Sequence, residues 1–368
     1  MMNYSTGYSL RPYWLPRLIC CTALLYAVSL GAQVGVRNLM DLSFTQHWPQ
    51  DHPKQSLNLL WQPELEWEHN FRDETRLSVS LSSQSRILGL KDKPEFTNKL
   101  YRAWTQVDKS AWSLCVGLQR INFGTAELIR PEQWFDRLSP LDESEDTEGV
   151  LAALGSIPLG STGGLKLWAI HSEDECRGNE VIPSVPDRIE PGGRLELPVG
   201  PVFTGISYHY RRVTFPTLTE AEEHRLGFDL RRDGSFGAWL ESSGSYYPGV
   251  DWAPFPDRQL AMSLGTDYTV SLGSGLYLRQ ETGWIYQGWG NLASLHTENV
   301  STAFLATYPL SLVDNLQVLS LYDWSSREAN AIVQVSRVYD YWSFYLSASQ
   351  TMKKHQYPEI RLRIALNI

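Results

Sequence analysis

From Val34 to the last residue, segments of about ten residues alternate apolar and polar side chains with a period of two, and the connections between them are short and long by turns. A period of two sends successive side chains to opposite faces of a strand, so each segment reads as a strand with one apolar and one polar face. In "PELEWEHNF", Leu65, Trp67 and Phe71 take one face while Glu64, Glu66, Glu68 and Asn70 take the other. In "RLGFDLR", Leu226, Phe228 and Leu230 oppose Gly227, Asp229 and Arg231, and in "WSFYLSASQTMK" Trp342, Phe344 and Leu346 oppose Ser343, Ser347 and Ser349. The last segment, "EIRLRIALNI", sets Ile360, Leu362, Ile364, Leu366 and Ile368 against Arg361, Arg363, Ala365 and Asn367. No stretch of helical period stands out beyond the N-terminal thirty or so residues.

Alternation alone fits any antiparallel sheet with one wet face. The connections discriminate further. Tight turns such as "RDE" at 72–74, "DKS" at 108–110, "VGP" at 199–201 and "RDGS" at 232–235 alternate with longer links at 123–147, 172–190, 248–257 and 289–297. Short turns on one rim, long loops on the other and strands of about ten residues predict an all-β, transmembrane up-and-down antiparallel β-barrel. The segments number about eighteen; sixteen is the alternative, the first segment and Pro63 inside the second being the weakest. An even count returns the C-terminus to the rim where the first strand begins. Closure removes every sheet edge, which is the condition for a β-structure to survive in lipid.

The N-terminus fits export. Arg11 and Arg17 precede the apolar run "LICCTALLYAVSLGAQ", which is the layout of a signal peptide over 1–32, and the run is shorter than a spanning helix needs. Residues 33–368 are then a single barrel domain. A formal net charge of −9 argues against nucleic acid as a partner, since phosphate binding needs a basic excess. Cys115 and Cys176 remain after the signal, too few for a disulfide scaffold. The 14 Trp and 18 Tyr suit an interfacial belt or a sugar-binding surface, so a soluble secreted carbohydrate-binding β protein is a competing reading. Neither enzyme, cofactor nor metal is expected. Ser207 and His209 are neighbours on one strand face but no orienting third group is visible, and "SEDEC", Glu173 to Glu175 with Cys176, reads as a solvated acidic loop or a weak Ca²⁺ loop.

The run from Tyr101 to Asp142, "YRAWTQVDKSAWSLCVGLQRINFGTAELIRPEQWFDRLSPLD", departs from the rhythm. It begins as strands, the second near 111–122, and then carries Gly117, Gln119 and Gly124, followed by Arg130-Pro131, Phe135-Asp136 and Pro140-x-Asp142. This segment resembles one found in porin-like outer-membrane barrels of Gram-negative bacteria. The resemblance covers about forty residues and implies a porin-like barrel without catalytic residues; the chain ends in Ile368 where many such barrels end in Phe. In porins a long loop can fold back and narrow the pore. Loop 123–147 is rich in bulky residues for a disordered link, so two courses are open to it: packing on the barrel wall, with Trp134 and Phe135 as anchors, or lying as a cap on the outer rim.

The expected function is an outer-membrane channel for passive diffusion of small solutes or ions; the alternative is a non-conducting barrel whose loops contact a polymer or an envelope partner. Outer-membrane lipid is the expected surround, and a homo-oligomer is compatible with the sequence. Charges in a pore select ions. The candidates for the constriction are Glu127, Arg130, Asp136 and Arg137 in the loop, and on polar strand faces Arg102, Arg211, Arg231, Arg361 and Arg363 with the acidic ladder Glu64, Glu66 and Glu68.

Overall fold

The computed structural model describes residues 33–48, 54–72, 74–89, 94–137, 147, 149–215, 219–250, 256–289, 295–352 and 358–368. The expected signal peptide, and Pro140 and Asp142 of the porin-like segment, lie outside the described residues. Eighteen strands run in chain order: β1 (Gln33–His47), β2 (Lys54–Asn70), β3 (Arg76–Leu88), β4 (Glu95–Lys109), β5 (Trp112–Gln119), β6 (Val150–Leu159), β7 (Gly163–His171), β8 (Ile189–Val199), β9 (Val202–Thr214), β10 (Glu220–Arg232), β11 (Gly237–Tyr246), β12 (Arg258–Val270), β13 (Leu276–Gly288), β14 (His296–Pro309), β15 (Asp314–Asp323), β16 (Glu328–Val338), β17 (Trp342–Thr351) and β18 (Glu359–Asn367).

Every strand pairs antiparallel with its neighbours in sequence, and β1 pairs also with β18, from Leu39 opposite Asn367 to His47 opposite Glu359. The sheet is therefore a closed barrel. Its seam extends to the last residue: the Ile368 and Asn38 backbones exchange both hydrogen bonds, at 3.0 and 2.7 Å. The first segment and Pro63 both hold as strand: Pro63 stands opposite Asn38, and the β2–β3 pairing skips Gln62 and Pro63 and resumes in the same register.

Register sets which face is which. Leu362 pairs with Phe44 and Leu346, and these lie on the outside with exposed Leu42, Phe344 and Ile360. Arg361 and Arg363 point inward beside Thr45, Ser43, Ser347 and Tyr345. The apolar face of the alternation is the outer face, the inverse of a soluble sheet protein.

The end of β5 departs from the sequence expectation. β5 ends at Gln119, not at 122, and β6 begins at Val150. The reason is local chemistry. Gly117 adopts φ +127°, and a Cβ there would stand 2.2 Å from the Ala103 carbonyl oxygen, so only glycine fits this close approach. Two residues on, the Gln119 side-chain amide donates to the carbonyls of Cys115 and Ala152, at 3.1 and 2.9 Å, occupying acceptors near the end of the β5–β6 pairing. The chain then leaves the wall, and Ile121 and Phe123 become buried.

Candidate functional site

The segment from Arg120 to Arg137 packs against inward-facing side chains of the barrel wall. Two features of its sequence bring it there. Large apolar side chains demand cover, and Phe123, Trp134 and Phe135 find it with Ile121, Val150, Ala152, Trp168 of β7 and Ile170 in one buried cluster. Phe123 stacks on Trp168 with ring centroids 5.4 Å apart and meets Trp134 edge-on at 5.3 Å; Phe135 meets His209 edge-on at 5.0 Å. Such pairs add about 0.5–1.5 kcal/mol each beyond the burial of their area. The Trp134 indole N–H also donates to the Ser243 hydroxyl, at 2.8 Å.

The loop backbone is the second demand. An irregular segment brings unpaired N–H groups with it, and in a closed lumen each needs an acceptor. Two wall carboxylates supply them. Glu241 on β11 accepts from the backbone N–H groups of Thr125, Ala126 and Glu132, at 2.7–2.8 Å. Glu281 on β13 accepts from those of Glu127, Leu128 and Ile129, at 2.6–2.9 Å. Six loop amides are thus held by two fully buried acids. The wall leaves room for this contact: a Cβ on Gly227 would lie 2.4 Å from Glu132 Oε1, so a larger residue there would push the loop away.

Glu132 turns its side chain to the wall. Its carboxylate lies 3.0 Å from Arg194 of β8 and accepts from the Ser207 hydroxyl at 3.1 Å, while Arg194 also pairs with Asp229, at 2.6 Å, and Glu196, at 2.7 Å. Three acids share one guanidinium. Burial pushes the Glu132 carboxyl up to about 8, Arg194 opposing the shift and Glu241 and Asp229 adding to it.

The loop between β7 and β8 also turns inward. Glu180 joins Arg211 and Arg225, at 3.1 and 3.2 Å, and both arginines pair with Glu223. Tyr247 donates its hydroxyl to Glu223 at 3.0 Å. The two loops meet where the Asn179 side-chain amide donates to the Arg130 carbonyl and the Asn179 N–H to the Gln133 carbonyl, at 2.9 and 2.8 Å.

The residues singled out in the sequence fall into two groups. Arg130 pairs with Asp136 at 2.9 Å inside the loop, both little exposed, which links the arginine of the Arg-Pro to the aspartate of the Phe-Asp in the porin-like segment. Arg211 is buried in the ion network, and Arg102 is buried against Tyr101 and donates to the Thr147 carbonyl at 2.6 Å. Glu127 stays exposed and reaches Arg279, while exposed Arg137 donates to the Cys176 carbonyl. On the other wall, Glu66 pairs with Arg37 at 3.2 Å, Glu64 accepts from Ser80, Glu68 accepts from Asn70, Arg361 pairs with Glu359, and Arg363 pairs with Asp41. Arg231 lies over Trp239. Ser207 and His209 both face inward and buried, as their strand parity indicates; Ser207 engages Arg194 and Glu132, and His209 Nδ1 accepts from the Trp168 indole N–H at 3.2 Å. Glu173, Asp174 and Glu175 are exposed in the second loop.

Glu241 and Glu281, the residues that hold the loop, were not singled out by sequence reasoning. A signal for them exists: each is an acid at an inward position between a large residue two before, Trp239 or Arg279, and a small one two after, Ser243 or Gly283.

A scan against protein-family models and a search of curated proteins give no match. Solved structures do match. OccK8 (OprE) of Pseudomonas aeruginosa superposes with TM-score 0.60 at 9% identity, over 91% of this chain and 98% of that one. OccK5 (OpdH) of the same organism gives 0.59 at 13%, with the same coverage, and OmpF of Salmonella typhi 0.55 at 9%, over 92% of this chain and 99% of that one. The chain has the fold of the Gram-negative outer-membrane porins. The porin fold covers nearly the whole described chain, well beyond the forty residues that resemble a porin segment in sequence.

Proposed function

We propose that this porin-fold protein is an outer-membrane channel for passive diffusion of small solutes or ions, its passage displaced to one side of the lumen. One observation carries the reading: the two halves of the inner wall differ in cover. On β8–β11 the inward side chains Glu190, Arg194, Ser207, His209, Arg211, Glu223, Arg225 and Glu241 are buried. On β15–β18 the inward side chains are mostly partly exposed, among them Gln317, Gln334, Ser336, Tyr345, Ser347, Ser349, Arg361 and Arg363, with Leu319 and Ala365 buried. The loop contacts described above run to β7, β8, β9, β11 and β13. A passage along β15–β18 and β1–β2 is bordered by Arg361 and Arg363 on one strand and by Glu64, Glu66 and Glu68 two strands away.

Conductance of the purified protein in planar bilayers tests the channel reading; an inserted barrel without conductance would support the binding or structural alternative. Replacing Glu66 and Glu68 by Lys is expected to shift the reversal potential toward anions, by about twofold or more in permeability ratio, because these charges would border the passage. Arg130→Glu, whose site is enclosed beside Asp136, is expected instead to disturb the loop.

Membrane residence has its own test. Leu362→Arg puts a charge on the outer face, where a lipid-facing Arg costs roughly 2–4 kcal/mol at the midplane. Ser349→Arg, inward and opposite Glu359, is expected to assemble normally. Ala365 is a poorer inward control because it is buried at the β1–β18 seam. Equal assembly of Leu362→Arg and Ser349→Arg would remove lipid from the outer face.

A further inference from the structure

Between the inward loop and the long-loop end of β10–β15 lies a cavity of about 490 Å³, within the roughly 300–1,000 Å³ of small-molecule sites. Its lining mixes two chemistries. Leu128 and Ile129 of the loop and Ile285 and Leu321 of the wall supply apolar surface. Ser245, Gln259 and Ser301 supply polar groups on the same wall, with Ile285 on the strand between those of Gln259 and Ser301. Each of these three side chains is partly exposed, and among the described residues none is engaged in a side-chain hydrogen bond, so their donors and acceptors are open to a ligand.

The charges at the border are already matched. Arg130 pairs with Asp136, and Arg225 with Glu223 and Glu180. An ionised solute entering here would lose water and gain no free counter-charge, a loss of several kcal/mol in a partly desolvated site. A neutral solute with one apolar half meets no such cost. Burial of that half contributes about 25 cal/mol per Å², and the polar half replaces water on hydroxyl and amide groups.

We infer that this cavity is a binding site for neutral amphipathic solutes, an apolar ring or chain seated on Leu128, Ile129, Ile285 and Leu321 and a hydroxyl-bearing half on Ser245, Gln259 and Ser301. The site depends on the barrel and its inward loop, not on conduction. Specificity follows from the mixed lining: a wholly polar sugar leaves the apolar surface wet, and an aromatic acid brings an unmatched charge.

Calorimetric titration of the folded barrel in detergent tests this, with 4-nitrophenyl β-glucoside as probe and glucose and benzoate as comparators. The glucoside binds, and both comparators bind at least about tenfold more weakly. Ala261→Trp fills the cavity, since Ala261 faces inward between Ser243 and Ile285; it weakens glucoside binding by about tenfold or more. Gln259→Ala removes one polar contact without filling space and weakens it by about fivefold, the equivalent of one hydrogen bond of ~1 kcal/mol. Both variants are checked for the heat-modifiable gel mobility of a folded barrel, and if Ala261→Trp fails to fold, Gln259→Ala decides. Benzoate binding as tightly as the glucoside, or glucoside affinity unmoved by the variants that fold, overturns the site. Binding by a barrel that does not conduct would keep the site and overturn the channel; conduction without glucoside binding would do the reverse.

Discussion

Replacing Glu241 and Glu281 together by Ala is expected to release the inward loop and raise single-channel conductance by about twofold or more, while the barrel itself stays folded. The two acids accept six backbone N–H bonds from residues 125–132. Each charge-assisted bond is worth on the order of 1.5–3 kcal/mol, and a loop whose amides lose their acceptors regains equivalent bonds only from water in the lumen. The strand ladder is untouched, so heat-modifiable gel mobility should be kept. Digestion within 125–132 by an added protease should appear in the double variant and be absent from the parent. Either single replacement leaves three of the six bonds and should give an intermediate, noisier current. Unchanged conductance together with unchanged protection from protease would mean that the aromatic cluster and the Glu132 contacts to Arg194 and Ser207 hold the loop without these acids.

Arg225→Met is expected to destabilise the barrel by about 3–5 kcal/mol, the cost of leaving buried acids unpaired. Arg225 pairs with Glu223 and Glu180, and Arg211 is the other arginine shared by both. Removing Arg225 leaves Arg211, together with Arg177, which lies 3.8 Å from Glu180 and also pairs with Glu190, as two cations for three buried carboxylates. Arg212→Met is the control: its side chain is exposed on the outside, 3.8 Å from exposed Glu220, and a pair of that kind is worth about 0–1 kcal/mol. The readout is the temperature at which the folded band is lost on gels. Adding Glu180→Gln to Arg225→Met should recover part of the loss, because it removes one of the unpaired charges. If the Arg225 and Arg212 variants melt alike, the network contributes nothing beyond an exposed pair.

What could be read before any fold was known is what repeats or is local. The face to which Leu362 or Arg361 belongs follows from a period of two, which each strand encodes within its own ten residues, and the short-turn rim and a count of about eighteen follow from the lengths of the connections. Trp134 and Phe135 also announced a packed loop, since bulky apolar side chains cannot stay in water at no cost.

What the tertiary structure decided is the choice of wall, and with it the fate of the charges. Glu132 N–H reaches Glu241 across 109 residues of sequence, and Ile129 N–H reaches Glu281 across 152. No periodicity links such positions. Arg211 and Arg361 sit on equally polar strand faces in the sequence, yet one is buried under the second loop and the other is partly exposed. The difference is physical: alternation states which way a side chain points, whereas its exposure depends on what the closed barrel places across the lumen from it.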